Sequence, residues 1–196
     1  MPAELVPENC FAPLELRAVY GRVAPLEVDL GCGDGSFLAA IAEKNPRHDF
    51  LGIERLLGRV RTTCRKLQRA GLGNARVLRF DISSALERLL PANSVTTFHV
   101  MFPDPWPKRR HASRRLVTEN FLATMHRALS PDGTVRISTD DSAYFHEIAQ
   151  LVAQSPLFVV TRGAVSISAV SKFEKRFIED GVPIHRLELR KISPVT

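Results

Sequence analysis

The sequence predicts an α/β protein built on a doubly wound, mostly parallel sheet with helices on both faces. Three observations carry that prediction. From Leu26 onward, short apolar or β-branched runs alternate with segments whose apolar residues recur at three- and four-residue spacing. A glycine-rich turn joins the first such pair, and acidic residues recur where the runs end.

The elements follow in order. Leu26 to Leu30 reads as a strand and passes through Gly31-Cys32-Gly33-Asp34-Gly35 into a helix over Ser36 to Glu43. Asp49 to Glu54 is the next strand, followed by a helix over Leu56 to Ala70. Ala75 to Phe80 precedes a helix over Ser84 to Leu90, and Val95 to Phe102 precedes one over Arg114 to Ala128. Gly133 to Ser138 leads to a helix over Ala143 to Gln154, after which Phe158 to Arg162 and His185 to Lys191 read as two closing strands. The polar, charged stretch Ser166 to Asp180 between them reads as a loop suited to a functional role. Residues 1–24 are a short lead-in without an assigned element, and the 196 residues suit one domain.

The formal net charge of +6 favours an acidic partner, with nucleic acid the natural candidate. Three cysteines, widely spaced and without a C-x-x-C pair, support neither a disulfide framework nor a structural zinc site. The N-terminus lacks a cationic-then-apolar segment and no apolar run reaches membrane-spanning length, so a soluble, cytoplasmic protein without a membrane partner is expected. Phosphate-loop, nucleophile-elbow and paired-histidine zinc motifs are absent, and no metal is expected.

The glycine turn allows sharp reversal and close approach of a ligand to the backbone. Ser36 stands where a dinucleotide fingerprint requires its third glycine, which favours a nucleoside cofactor lacking pyrophosphate over a nicotinamide dinucleotide. Asp29, Glu54 and Asp81 end successive strands and would face one crevice; each taken alone reads equally as a strand end or a helix cap. Farther on, Phe102-Pro103-Asp104-Pro105-Trp106-Pro107 holds an acid between prolines beside an aromatic ring. Lys108, Arg109, Arg110, His111, Arg114 and Arg115 follow at once, cations suited to RNA phosphates. Trp106 reads as a base-stacking ring or a loop anchor. A second basic group, Arg55, Arg59, Arg61, Arg65, Lys66 and Arg69, wraps a helix without one clean stripe and reads as solvated surface. His99 reads as a packed histidine, and His48, His126, His146 and His185 have no evident partners.

Val28 to Gly33, Leu51-Gly52-Ile53-Glu54, Phe102 to His111 and Ser171-Lys172-Phe173-Glu174 together closely resemble the bacterial tRNA (guanine-N7-)-methyltransferases. The resemblance spans roughly Leu26 to Arg190, and its Phe-Pro-Asp-Pro-Trp segment is the specific part. It implies a Rossmann-like class I methyltransferase fold with a seven-stranded sheet, and S-adenosylmethionine contacted at Asp29, Glu54, Asp81 and Asp104 beside Gly31 and Gly33. It further implies guanosine contacts at Lys108, Asp140 and Ser171 to Glu174, a tRNA partner, and S-adenosylhomocysteine as product. Asp104 is the candidate catalytic residue. The family usually has Glu where Asp29 stands and Thr where Ser171 stands, and the N-terminal region here is short. A monomer or a homodimer fits equally. Methylation of an exocyclic amine and a non-catalytic RNA-binding module remain the alternative readings.

Overall fold

The computed structural model describes residues 2–106, 110, 114–161, 169 and 172–192. Its strands are β1 (Glu4–Leu5), β2 (Leu26–Leu30), β3 (Asp49–Glu54), β4 (Ala75–Arg79), β5 (Val95–Met101), β6 (Leu129–Thr139), β7 (Phe158–Val160) and β8 (His185–Lys191). Its helices are α1 (Leu16–Tyr20), α2 (Ser36–Lys44), α3 (Leu57–Arg69), α4 (Ile82–Ser84), α5 (Glu119–Ala128), α6 (Ser142–Ala153) and α7 (Lys172–Glu179). The strands form one eight-stranded sheet in the order β1-β4-β3-β2-β5-β6-β8-β7, parallel except where β8 runs antiparallel to β6 and β7.

The central strands are buried on both faces, mostly by apolar residues, with Glu27, Asp29 and His99 among the buried polar exceptions on β2 and β5. One face packs Phe98, Val100, Val135 and Ile137 against Phe121 and Met125 of α5 and Tyr144 and Ile148 of α6. The other packs Phe50 and Val77 against Phe37, Leu38 and Ile41 of α2 and Val60 and Leu67 of α3. Strand order reverses at β2, whose neighbours are β3 and β5, and such a reversal opens a crevice at the carboxyl ends of the strands.

Several expectations need correction. The sheet has eight strands, not seven, because Glu4 and Leu5 pair in parallel with Val77 and Leu78. Two residues are too few to show a period. The lead-in also forms α1, tied down by the Tyr20 hydroxyl, which donates to the Phe50 carbonyl at 2.9 Å. Helix α5 starts at Glu119 rather than Arg114, because the Thr118 hydroxyl accepts from the Phe121 N–H and caps it. Strand β6 starts four residues early, at Leu129, and its register with β5 shifts between Val95 and Thr97 to absorb the extra chain. The predicted helix over Ser84 to Leu90 is instead α4 followed by a π turn, Ala85–Leu89. There Arg127 donates to the carbonyls of Leu86 (2.5 Å) and Leu90 (2.9 Å). Part of the stretch read as a loop, Ser166 to Asp180, is helix α7, whose Phe177 ring packs 5.3 Å from that of Phe102.

Two glycines in neighbouring elements separate packing from propensity. A Cβ at Gly52 would lie 2.7 Å from both Cys32 Sγ and Leu38 Cδ2, whereas one at Gly58 meets nothing within 4 Å. Gly52→Ala is therefore expected to lower stability by about 1–3 kcal/mol through overpacking. Gly58→Ala, on the exposed side of α3, is expected to raise it by up to about 1 kcal/mol. Urea denaturation of both variants checks the opposite signs.

Candidate active site

Strand β2 delivers the chain to the reversal point through Gly31 (φ 83°), Gly33 (φ 57°) and Gly35 (φ 72°). The N–H groups of Gly31 and Cys32 donate to the Ile53 carbonyl at 2.9 and 3.1 Å, tying the turn to β3. At Gly35 glycine is required twice over: φ is left-handed, and a Cβ would lie 2.4 Å from Thr63 Cγ2. Ser36 has its own work, since its hydroxyl donates to Asp34 Oδ1 (2.7 Å) and accepts from Lys66 Nζ (2.6 Å). A third glycine would lose that contact.

The acids differ in their surroundings. Asp29 is 3% exposed, and its Oδ2 has no hydrogen-bond partner among the described residues. Burial, with the nearby Glu54 charge adding to it, pushes the Asp29 carboxyl up to about 7. Glu54, 6% exposed, accepts from the Leu56 N–H at 2.8 Å and lies 3.7 Å from the Arg59 guanidinium. Burial followed by these two carboxylates also pushes the Cys32 thiol up, which makes Cys32 a packing group rather than a nucleophile. Asp81 is exposed beyond β4, and its Oδ1 caps α4 by accepting from the Ser84 N–H at 3.0 Å. A cap and an acid at the crevice are here the same residue.

Across the reversal point, β5 ends in a kinked loop. Phe102 (φ 54°) and Trp106 (φ 43°) are left-handed, a conformation that costs about 1–2 kcal/mol without glycine. The Phe102 N–H donates to the Ser138 carbonyl at 2.7 Å. Arg115 donates to the carbonyls of Pro105 (2.8 Å) and Trp106 (3.3 Å) and pairs with Glu147. Arg115 thus braces the loop from the α6 side, while the Arg114 guanidinium lies 5.0 Å over the Trp106 ring. Trp106 is half-buried, in keeping with the loop-anchor reading. Asp104 stands exposed between these supports.

Asp140 is exposed just past β6, the neighbour of β5. Glu174, on α7, is 2% exposed and accepts from Arg186 at 2.5 Å; Arg186 is in register with Ser138. Asp29, Gly31, Gly33, Glu54 and Asp81 therefore gather on the β2-β3-β4 side of the reversal, and Asp104, Asp140 and Glu174 on the β5-β6-β8 side. Lys172 and Phe173 open α7, Arg110 is exposed, and Lys108, Arg109, His111 and Ser171 lie outside the described residues. No group of three His, Cys, Asp or Glu suited to a metal occurs among the described residues.

Sequence reading passed over two supports of this site. Thr63, fully buried, donates to the Gly33 carbonyl at 3.1 Å, and Lys66 bridges Ser36 to Asp34 Oδ2 at 3.1 Å. The signal for Thr63 was a polar residue inside the buried stripe Val60, Thr63, Leu67. Below the turn, Glu27 accepts from His99 Nε2 and His48 Nδ1, both at 2.7 Å. Burial raises the Glu27 carboxyl, but the hydrogen bonds and charge of His99 and His48 outweigh it and leave a carboxylate below its usual range. Burial holds His99 below the usual imidazole value, so it is the packed histidine expected, edge-on to Phe37. The other histidines are not partnerless: besides His48, His126 meets the Ile192 carbonyl (3.0 Å), His146 the Ser142 carbonyl (2.6 Å), and His185 stacks on Phe145.

Residues 23–187 match a family model described as "Putative methyltransferase". The chain is 39% identical to the tRNA (guanine-N(7)-)-methyltransferase of Thermotoga maritima over 97% of its length, spanning 62% of that protein. It is 37% identical to the Leifsonia xyli enzyme of the same name over 91% of the chain and 82% of the relative. For the Syntrophotalea carbinolica enzyme the identity is 33%, over 97% of the chain and 84% of the relative. Among solved structures, the antibiotic-resistance methyltransferase Kmr superposes with a TM-score of 0.64 at 17% identity, covering 92% of this chain and 93% of that one. A 30S ribosomal A1408 methyltransferase from an uncultured bacterium gives 0.61 at 18%, covering 91% and 93%. These two establish the class I methyltransferase fold. On the extent and identity of the match to the Leifsonia and Syntrophotalea proteins, this chain belongs to the tRNA (guanine-N(7)-)-methyltransferase family.

Proposed function

We propose that this protein transfers the methyl group of S-adenosylmethionine to N7 of guanosine 46 in the variable loop of tRNA, releasing S-adenosylhomocysteine. The observation that supports the reading is the braced loop Phe102 to Trp106, which carries Asp104 just past β5, the sheet neighbour of β2 with its buried Asp29. Family membership supplies the reaction class.

The residues present fit the cofactor. Asp29 Oδ2, desolvated and orphaned, is suited to the α-ammonium of an amino acid moiety. Glu54 is suited to two ribose hydroxyls, Asp81 to an exocyclic amine, and Gly31 and Gly33 to close backbone approach. Asp104 borders both ligands. When bound, S-adenosylmethionine supplies an electrophilic sulfonium methyl.

Guanine N7 presents an in-plane lone pair, so the protein has no proton to remove before attack. The task left to its residues is placement and charge. As transfer proceeds, positive charge shifts onto the purine, and a carboxylate closer to the base than to the sulfur favours that shift. Asp104 takes this role, with Lys108, Asp140 and the run Ser171, Lys172, Phe173 and Glu174 orienting the base. N7 faces the deep groove of A-form RNA, so the guanosine leaves its tertiary contacts to react. Arg109, Arg110, His111 and Arg114 bind the neighbouring phosphates, and Arg115 holds the loop that presents them.

Labelled methyl from S-adenosylmethionine should appear on N7 of the variable-loop guanosine of unmodified tRNA, and Asp104→Asn should slow single-turnover transfer by roughly ten- to a thousandfold. Methyl on another atom, or an unchanged rate, refutes the corresponding part of the reading.

Asp29 makes cofactor binding pH-dependent. Its folded carboxyl lies at about 7 against an ordinary 3.8, so the unliganded protein holds this proton between those values and pays the full cost of the buried charge only above the upper one. A cationic ligand selects the ionised form. Affinity for S-adenosylmethionine should therefore strengthen as pH rises from about 5.5 to about 7.5, with proton release into the buffer, and Asp29→Asn should bind weakly with a flat profile. Calorimetry in two buffers of different ionisation enthalpy reads both.

The brace from α3 is tested by Thr63→Val, which keeps the shape and removes the hydroxyl on Gly33. Its dissociation constant for the cofactor should rise about tenfold, the scale of one lost buried hydrogen bond, while Thr63→Ser restores binding.

A further inference from the structure

We infer that the solvent face of α3 is a second RNA-binding surface, a phosphate tract for the tRNA on the opposite side of the cleft from the Arg110 and Arg114 cluster. The inference rests on the tRNA reading above.

Helix α3 buries Val60, Thr63 and Leu67. At 3.6 residues per turn, the cations Arg59, Arg61, Arg65, Lys66 and Arg69 then fall within an arc of about 160° on the other side. Arg55, Arg59, Arg61, Arg65 and Arg69 are all exposed. The cations thus share the solvent-facing half of α3, in keeping with the surface expected of this group.

An ordinary solvated helix face mixes charges, because Glu four residues before Lys or Arg stabilises the helix and like charges at that spacing destabilise it. Here no acidic residue occurs from 55 to 80. Arg61, Arg65 and Arg69 follow one another at four-residue steps, and Arg59 stands in the first turn, where the backbone dipole repels cations, while Lys66 and Arg69 in the last turn suit it. The like-charge spacing and the position of Arg59 work against the helix, and a polyanion offsets them. The exposed cations are arginines, the side chain suited to bidentate phosphate contacts.

Position gives the face its partner. Helix α3 leaves β3 just after Glu54, at the mouth of the cofactor cradle, and Arg59 to Arg69 extend away from it over about 15 Å. Arg114 and Arg115 flank the same cleft beyond β5, on the side packed by α6. An RNA seated on both tracts would have its reactive guanosine over the acids between them. Some of the cations are already committed: Lys66 braces the glycine turn and Arg59 borders Glu54, which leaves Arg61, Arg65 and Arg69 as the phosphate contacts to test.

The experiment replaces Arg61, Arg65 and Arg69 together with Gln and, separately, with Lys. Binding of unmodified tRNA is measured across a salt series, alongside S-adenosylhomocysteine affinity and single-turnover methylation at saturating tRNA. The Gln variant should bind tRNA roughly ten- to a hundredfold more weakly at low salt, with a log–log salt slope shallower by about 2–3, since each phosphate contact contributes about 0.7–0.9. The Lys variant should keep most of that slope. Cofactor affinity and the saturated rate should stay at wild-type values. Equal tRNA affinity and slope in the Gln variant, with wild type still methylating tRNA, overturns this surface alone. Wild type that binds tRNA without methylating it overturns the function proposed above and leaves the surface standing.

Discussion

Strand β2 is hydrogen-bonded along both edges and buried along its whole length, and the site depends on that constraint. A carboxylate near its end cannot reach water. Asp29 is therefore held as a desolvated acid with an orphaned oxygen, and the chain leaves the sheet through a turn that only glycines can make so close to β3. The same buried position raises the Cys32 thiol and brings Glu54 into electrostatic reach of Asp29. Such a polar group sits badly in an empty fold and well against a cationic ligand.

The supports around this point come from elements distant in sequence. Thr63 and Lys66 of α3 hold the glycine turn, Ser138 of β6 receives the Phe102 N–H, and Arg115 closes the loop that carries Asp104. Two left-handed non-glycine residues in one short loop are strained, and the packing of Phe102 on Phe177 together with the Arg115 hydrogen bonds compensates. Strain thus concentrates in the loop that carries Asp104.

Charge divides the molecule in the same way. The acids gather on both sides of the strand reversal, and the arginines lie outside them on α3 and on the segment after Trp106. A cationic cofactor suits the inner zone and an RNA backbone the outer one. The net charge of +6 is summed over the whole chain, and its global value is less informative than this local distribution.

The central strands, the glycine turn and the acids at strand ends were legible in the sequence because each depends on local rules: apolar runs for doubly buried strands, glycine for positive φ, and turn residues at strand ends. The Phe-Pro-Asp-Pro-Trp segment was legible through its resemblance to a known family rather than through such local rules. Strand β1, helix α1 and helix α7 were not. Each is short, and each is held by contacts with remote residues, such as Val77 for β1, Phe50 for α1, and Phe102 and Arg186 for α7. The divided roles of Arg114 and Arg115 and the clamp made by Thr63 and Lys66 were likewise settled by packing. The sequence by itself determined which residue types reach the carboxyl edge of the sheet. Tertiary structure decided which are desolvated, which are braced and which face solvent, because burial and hydrogen-bond partners come from chain segments that local pattern cannot pair.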